Sequence, residues 1–128
     1  ERKMPNYFSS HPTHIGRAQQ MWQILVGYAH RRETLTYGLL AEMIGVPVPI
    51  SLAYPLGQIQ NWCLSQGFPV LTILVVRKNT GKPGSGAISE DVDSTREAVY
   101  AFNWYDVVPP TADELAEAKG PGEISSGA

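Results

Sequence analysis

The pattern of apolar and polar positions becomes regular at Arg17. From there apolar residues recur at intervals of three and four, which places them on one face of an α-helix. The members of this stripe are Ala18, Met21, Trp22, Leu25, Val26 and Ala29. Two cations, Arg31 and Arg32, suit the negative end of a helix dipole, so the sequence predicts that the first helix ends there. Residues 1–16 show no such period, and we interpret them as an extended arm.

A short second helix is predicted over residues 37–44. Thr36 is a suitable N-cap residue, and Gly45 stands where a helix commonly ends with a left-handed glycine. The spacing predicts four inward-facing residues: Tyr37, Leu40, Ala41 and Ile44. The segment Val46-Pro-Val-Pro-Ile50 follows, and its two prolines predict a connecting loop.

A third helix is predicted to begin after Ser51 as its N-cap and to run to about Gln66. Pro55 falls in the first turn, where a missing N–H does little harm. The predicted buried stripe consists of Leu52, Leu56, Ile59 and Cys63. Polar residues recur on a different face, at Tyr54, Gln58, Asn61 and Ser65. Such a face is usually solvated, but it also suits a helix that reads a DNA groove.

The next segment has the composition of a β-hairpin. Residues 70–77 are rich in β-branched side chains and predict a strand. Residues 78–86 hold two lysines and three glycines, which predicts a flexible turn, and residues 87–88 suit a short return strand.

Two capping-box patterns predict further helices. Ser94-x-x-Glu97 predicts a fourth helix that reaches about Asn103, with Thr95, Val99 and Phe102 inward, and Thr111-x-x-Glu114 predicts one more that reaches Lys119. For the last, acidic segment two alternatives stay open. It either docks near the basic body and competes with phosphates, or it packs on the core through Leu115 and Ala118.

The order of helix, short helix, loop, helix, strand and basic turn is that of a winged helix-turn-helix. We therefore predict a mainly α fold with a small β-wing and a C-terminal helical extension. The predicted division is an N-terminal arm (1–16), a winged-helix core (17–88), an additional helix packed on the core (89–110), and a short acidic helix with a loose tail (111–128).

Length and composition favour one globular domain, because the chain has 128 residues of which 43% are hydrophobic. Cys63 is the single cysteine, which excludes an internal disulfide and a cysteine-rich zinc site. The longest apolar stretch, residues 68–76, is too short to cross a membrane as a helix. The N-terminal residues have no apolar core of a signal peptide, so we expect a cytoplasmic protein with no membrane partner.

The charge is unevenly distributed along the chain. Residues 1–88 carry eight Lys or Arg against three acidic residues, whereas residues 89–128 carry two against nine. A basic body with an acidic end segment can mean an anion-binding surface, including one for nucleic acid. The alternative is that the opposite charges pair within one fold.

Three short motifs resemble the alkylguanine-DNA alkyltransferases and the alkyltransferase-like proteins. The segment Thr36-Tyr-Gly-Leu-Leu-Ala-Glu-Met-Ile-Gly45 resembles a helix of that superfamily, and Tyr54-Pro-Leu-Gly57 falls at its recognition-helix motif. The segment Gly67-Phe-Pro-Val-Leu-Thr-Ile-Leu is similar to the approach to its active site. The likeness covers roughly residues 20–88 and implies a winged-helix DNA-binding domain. Residues 69–86 are also similar to uncharacterised bacterial or mobile-element members.

The departures from that superfamily imply a protein that does not catalyse alkyl transfer. Its nucleophilic cysteine corresponds here to Ile73 or Leu74, neither of which can accept an alkyl group. Cys63 is no substitute, because its spacing places it on the buried stripe. Tyr54 stands in place of the arginine that fills the gap left by an extruded base. Tyr37 matches a tyrosine that helps to turn the nucleotide outward, although it also suits a packed aromatic residue.

We therefore predict a non-catalytic DNA-binding protein that has no cofactor and no metal site. The third helix would enter a groove and the basic wing would hold phosphates of duplex DNA. The predicted DNA-binding residues are Tyr37, Tyr54, Gln58, Asn61, Arg77, Lys78 and Lys82. The alternative is a protein-interaction module, such as a regulator, an immunity protein or a counter-defence protein, that reuses the fold without binding DNA. Exposed Trp62, Trp104 and Tyr105 would then be its contact residues, although aromatic residues of this kind are more commonly packed in a core.

Overall fold

The computed structural model describes residues 7–9, 12–47, 49–78 and 91–119. This part of the chain is mainly helical with one small parallel sheet. In chain order its elements are α1 (His14–Arg31), β1 (Leu35–Thr36), α2 (Tyr37–Ile44), α3 (Ala53–Gln66), β2 (Val75–Val76), α4 (Val92–Ala101) and α5 (Ala112–Glu117), with short 3-10 turns at Pro49–Leu52, Leu71–Leu74 and Trp104–Asp106.

Helix α1 is the central element, and the predicted buried stripe is confirmed at all six positions. It begins at His14, three residues earlier than predicted, because the Thr13 hydroxyl accepts a hydrogen bond from the Gly16 N–H (3.0 Å) and caps the first turn. Residues 14–16 are therefore helical, and their assignment to an extended arm is wrong. Residues 1–6, 10 and 11 of that arm lie outside the described residues.

Helix α2 has the bounds that the sequence predicts. The Thr36 hydroxyl accepts from the Leu39 N–H (3.1 Å), and Gly45 ends the helix in the left-handed region at φ 76°. The inward residues Leu40, Ala41 and Ile44 are buried, and Tyr37 packs partly buried against the core.

Helix α3 ends where predicted but begins differently. Ser51 does not cap it: this residue belongs to the preceding 3-10 turn, and the helix begins after Leu52 with no side-chain cap. The 3-10 turn leads directly into α3, so the residue before the helix has a helical backbone conformation. A capping serine needs an extended backbone, and no such position is present here. Pro55 lies in the first turn as predicted, and the predicted buried stripe is confirmed.

The predicted strand over 70–77 is wrong for most of its length. Leu71–Leu74 forms a 3-10 turn, and only Val75–Val76 is extended. This segment packs against α1, α3 and α4, so successive residues are buried instead of alternate ones. A strand would turn every second side chain away from these helices. The predicted turn and return strand, except Lys78, lie outside the described residues.

The sheet joins two distant segments of the chain. Strands β1 and β2 run parallel, with Leu35 opposite Val75 and Thr36 opposite Val76. The pairing therefore fixes the entry of α2 beside the segment that follows α3.

The last two helices differ in how well their caps follow the sequence. In α4, Asp91 and not Ser94 is the cap, since its carboxylate accepts from the Ser94 N–H (3.0 Å), and the helix ends at Ala101 rather than near Asn103. In α5 the predicted capping box is confirmed, because Thr111 and Glu114 exchange hydrogen bonds of 2.9 and 3.1 Å. That helix ends at Glu117, two residues short of the predicted Lys119.

Aromatic residues from several elements meet in the core. The Trp22 ring lies 5.3 Å from that of Trp62 and 5.7 Å from that of Trp104, both edge to face. Phe68 and Phe102 complete the cluster, in which the Trp104 indole N–H donates to the Val99 carbonyl (2.8 Å).

None of the described helices is both long and apolar enough to cross a membrane.

Candidate nucleic-acid interface

One side of the first turn of α3, formed by Ala53 and Tyr54, is open to solvent. Tyr54 lies there with 51% of its surface exposed, and its ring meets the ring of His14 at a centroid distance of 5.4 Å, edge to face. This contact brings together the first turns of α1 and α3. An aromatic ring so placed can stack on, or wedge between, the bases of a nucleic acid.

Helix α2 ends beside the same corner of the molecule. Arg17, one turn further along α1 than His14, donates a hydrogen bond from its guanidinium to the Ile44 carbonyl at the end of α2. It also donates to the side-chain oxygen of Gln20 (3.3 Å). The end of α2 is therefore held close to the corner that His14 and Tyr54 form.

The other end of α2 lies beside two cations. Because Thr36 and Val76 are paired in the parallel sheet, Arg77 and Lys78 continue from the point where α2 begins at Tyr37. Both cationic side chains are exposed, and neither forms an ion pair within the described ranges. The exposed face of α2, with Leu39, Glu42 and Met43, spans about 12 Å between the two ends.

Gln58 is not available for a groove contact. Only 8% of its surface is exposed, and its amide nitrogen donates to the carbonyls of Leu115 (2.7 Å), Ala118 (3.2 Å) and Ala116 (3.4 Å). Asn61, half-buried, contacts the Gln58 side-chain oxygen at 3.5 Å. The polar face of α3 is thus covered by α5 one turn after Tyr54, which the local sequence of α3 gives no signal to predict.

For both tryptophans that the protein-interaction alternative would use, core packing, the commoner interpretation, is confirmed. Trp62 is 6% exposed and Trp104 is 4% exposed, since both belong to the aromatic cluster. Tyr105 does reach solvent, at 61% exposure, and its ring lies 4.8 Å from that of His30.

Part of the basic charge is paired inside the fold. Arg32 forms an exposed ion pair with Glu97 of α4 (2.9 Å), and Arg31 lies 3.5 Å from Glu33. The Arg32 pair joins the basic and acidic parts of the chain, as the alternative interpretation of the charge asymmetry predicts. Lys82 lies outside the described residues.

The cysteine is a core residue. Cys63 is fully buried, and this burial raises the pKa of its thiol to about 11, although a backbone hydrogen bond with Leu71 opposes the shift. Ile73 and Leu74, which correspond to the nucleophile position of the resembled superfamily, are buried as well. Within the described ranges, no three His, Cys, Asp or Glu residues converge on a possible metal site.

A shallow cleft of about 410 Å³ lies between α3 and α5, and no pattern in the sequence predicts it. Ser65 and Gln66 line it from α3, and Glu114, Glu117 and Lys119 line it from the other side. Its floor includes Trp62, so the cleft follows from the way α5 rests on the covered part of α3.

Comparison of the chain with models of known protein families, with curated proteins and with solved structures found no match.

Proposed function

We propose that this protein is a non-catalytic DNA-binding protein of alkyltransferase-like, winged-helix type. It contacts duplex DNA with the first turn of α3 and holds phosphates with the basic residues that follow β2. The observation that carries the proposal is the open first turn of α3, where Tyr54 is half exposed. In helix-turn-helix proteins, the N-terminal residues of the recognition helix contact base edges. In this protein the helix at that position is α3.

The cations beyond β2 supply the phosphate contacts. Arg77 and Lys78 are exposed beside the start of α2, and Lys82, which lies outside the described residues, keeps the role that the sequence predicts for it. Phosphate contacts position a protein on DNA without reading its sequence. With so few cations, we expect modest affinity and a shallow salt dependence.

The structure narrows the set of base-contacting residues that the sequence predicted. Gln58 is withdrawn from it, because its amide is bonded to α5. Tyr37 and Asn61, both half-buried, stay in the proposed set. Glu42, exposed on α2, opposes phosphate binding and limits the affinity.

A gel-shift titration of a short duplex at two salt concentrations tests the proposal. Each phosphate contact contributes roughly 0.9 to the slope of log affinity against log salt, so the change Lys78→Ala should lower the slope by about that amount. Arg31→Ala is the matched control, because it removes one exposed cation at the end of α1 opposite to His14. Absence of binding at low salt, or equal slopes for both variants, would contradict the proposal.

Protein binding is a second candidate, and one observation favours it. Leu39 and Met43 are 40% and 49% exposed, one turn apart on the solvent face of α2. If the duplex is not bound at low salt and a cellular protein is captured, the change Met43→Glu should abolish the capture. Retention of capture by that variant would exclude α2 as the contact surface.

A further inference from the structure

Helix α5 lies on the continuation of the surface that we assign to DNA. Tyr54 and Gln58 are four residues apart in α3, so they share one face of that helix. The first is half exposed, whereas the second is covered by α5. The covered positions are thus the ones that a longer contact with a groove would use.

Helix α5 packs on both α1 and α3. The Gln58 amide bonds to three carbonyls at the end of α5, where a helix leaves its last carbonyls without internal partners. Leu115 is fully buried between α5 and the core. Since α5 has six residues, it is too short to be a stable helix in water without these contacts.

The charge of α5 opposes DNA. The helix carries Asp113, Glu114 and Glu117 and has no basic residue. Carboxylates held beside a groove-facing helix repel phosphates, so α5 both covers this face and disfavours DNA near it.

We propose that α5 is an autoinhibitory cover on α3, an inference that rests on the proposed function. In the closed state, which the structure describes, the first turn is the only part of α3 that meets DNA. When α5 detaches, Gln58 and Asn61 become available, the acidic helix moves away, and DNA binds more tightly. The apparent affinity for the longer contact is the affinity of the open state multiplied by the fraction of molecules that are open.

The experiment loosens α5 in the full chain and measures two quantities on each variant. Leu115→Ala removes the buried anchor, and Ala116→Gly lowers the helix propensity at an exposed position without touching the core. Amide hydrogen exchange over residues 112–118 reports opening, and gel shift of a short duplex reports affinity. Ala98→Gly, an exposed position in α4, is the matched control.

We expect faster exchange over α5 in both α5 variants and an affinity that rises by up to about tenfold, in proportion to the opening. Ala116→Gly keeps the proposal testable if Leu115→Ala does not fold. Faster exchange with unchanged or weaker affinity would overturn the cover while leaving the proposed function intact. Failure of every form, the unaltered chain included, to bind DNA at low salt would overturn both.

Discussion

The two halves of the polar face of α3 meet opposite surroundings. Tyr54 is half exposed, and its ring meets that of His14 in the first turn of α1. Gln58, on the same face, is bonded to a carbonyl that lies 57 residues further along the chain. The regular spacing of polar residues is the same in both halves. The environment of each is therefore decided by which distant segment packs there.

The difference also separates stability from function within one helix. Groups in the covered half have partners inside the protein, so removing them should lower the free energy of unfolding. Groups in the open half are exposed to solvent, so removing them should lower the affinity for a ligand and change the stability little. The following changes test this separation, from the largest expected effect to the smallest.

Replacing Trp62 by Ala should destabilise the fold most. The side chain lies in edge-to-face contact with Trp22 and Phe68, and truncation of a buried tryptophan costs about 3–5 kcal/mol. Urea denaturation followed by circular dichroism measures the change. A loss below 1 kcal/mol, on the order of a surface substitution, would mean that Trp62 is not packed in the aromatic cluster as described.

Alkaline pH should weaken the fold through Cys63, on the core-facing side of α3. Burial raises the pKa of this thiol from 9.0 to about 11, so the unfolded chain releases its proton at a lower pH than the folded one. Stability is therefore fully present below pH 9 and falls as the pH rises towards 11, by roughly 2 to 3 kcal/mol in all.

Urea midpoints measured from pH 8 to pH 11 test this dependence. The pKa of Tyr100 is also raised by burial, so the measurement should use Tyr100→Phe as the background. Equal midpoints at pH 8 and pH 11 in that background would show that Cys63 is not enclosed as described.

Removing the amide of Gln58 should have an intermediate effect. Gln58→Ala removes the side-chain donor of the Leu115 carbonyl, which keeps only its longer bond from the Ala118 N–H (3.4 Å), and the loss of one hydrogen bond costs about 0.5–1.5 kcal/mol. The loss should appear in urea denaturation together with faster amide exchange in α5. Gln23→Ala, an exposed glutamine of α1, is the control and should change neither quantity.

Replacing Tyr54 by Ala should change stability least. The side chain is half exposed, so we expect the free energy of unfolding to change by no more than about 0.5 kcal/mol. The duplex affinity should fall by about 1–3 kcal/mol, the contribution of one aromatic ring that stacks on a base. An equal duplex affinity for the unaltered protein and the Tyr54→Ala variant would place the DNA contact elsewhere.

The bounds and buried faces of the helices can be predicted from the sequence where the signals are local. The stripe of α1 and the bounds of α2 were predicted because three- and four-residue spacing, Thr36 and Gly45 act locally. The caps of α3 and α4 were not, because each depends on the path by which the chain enters the helix. Asp91 and Ser94 lie three residues apart and both suit a cap, and only the backbone direction selects Asp91.

The candidate site is less predictable, since its groups are separated by packing over long distances. The β-branched run before Arg77 has strand propensity, yet enclosure by three helices makes most of it a 3-10 turn. Nothing in the order of residues around Gln58 indicates that α5 will cover it. The exposure of Tyr54 and the burial of Trp62 likewise depend on which elements α3 faces.

The aromatic cluster gives the protein an internal optical reporter. All three tryptophans of the chain are buried there, and Trp62 also forms the floor of the cleft beneath α5. Occupation of the open turn at Tyr54 should leave their fluorescence emission unchanged, because no tryptophan lies at that turn. Detachment of α5 should bring water to Trp62 and shift the emission to longer wavelength. Intrinsic fluorescence therefore distinguishes a ligand that binds the closed protein from one that opens it.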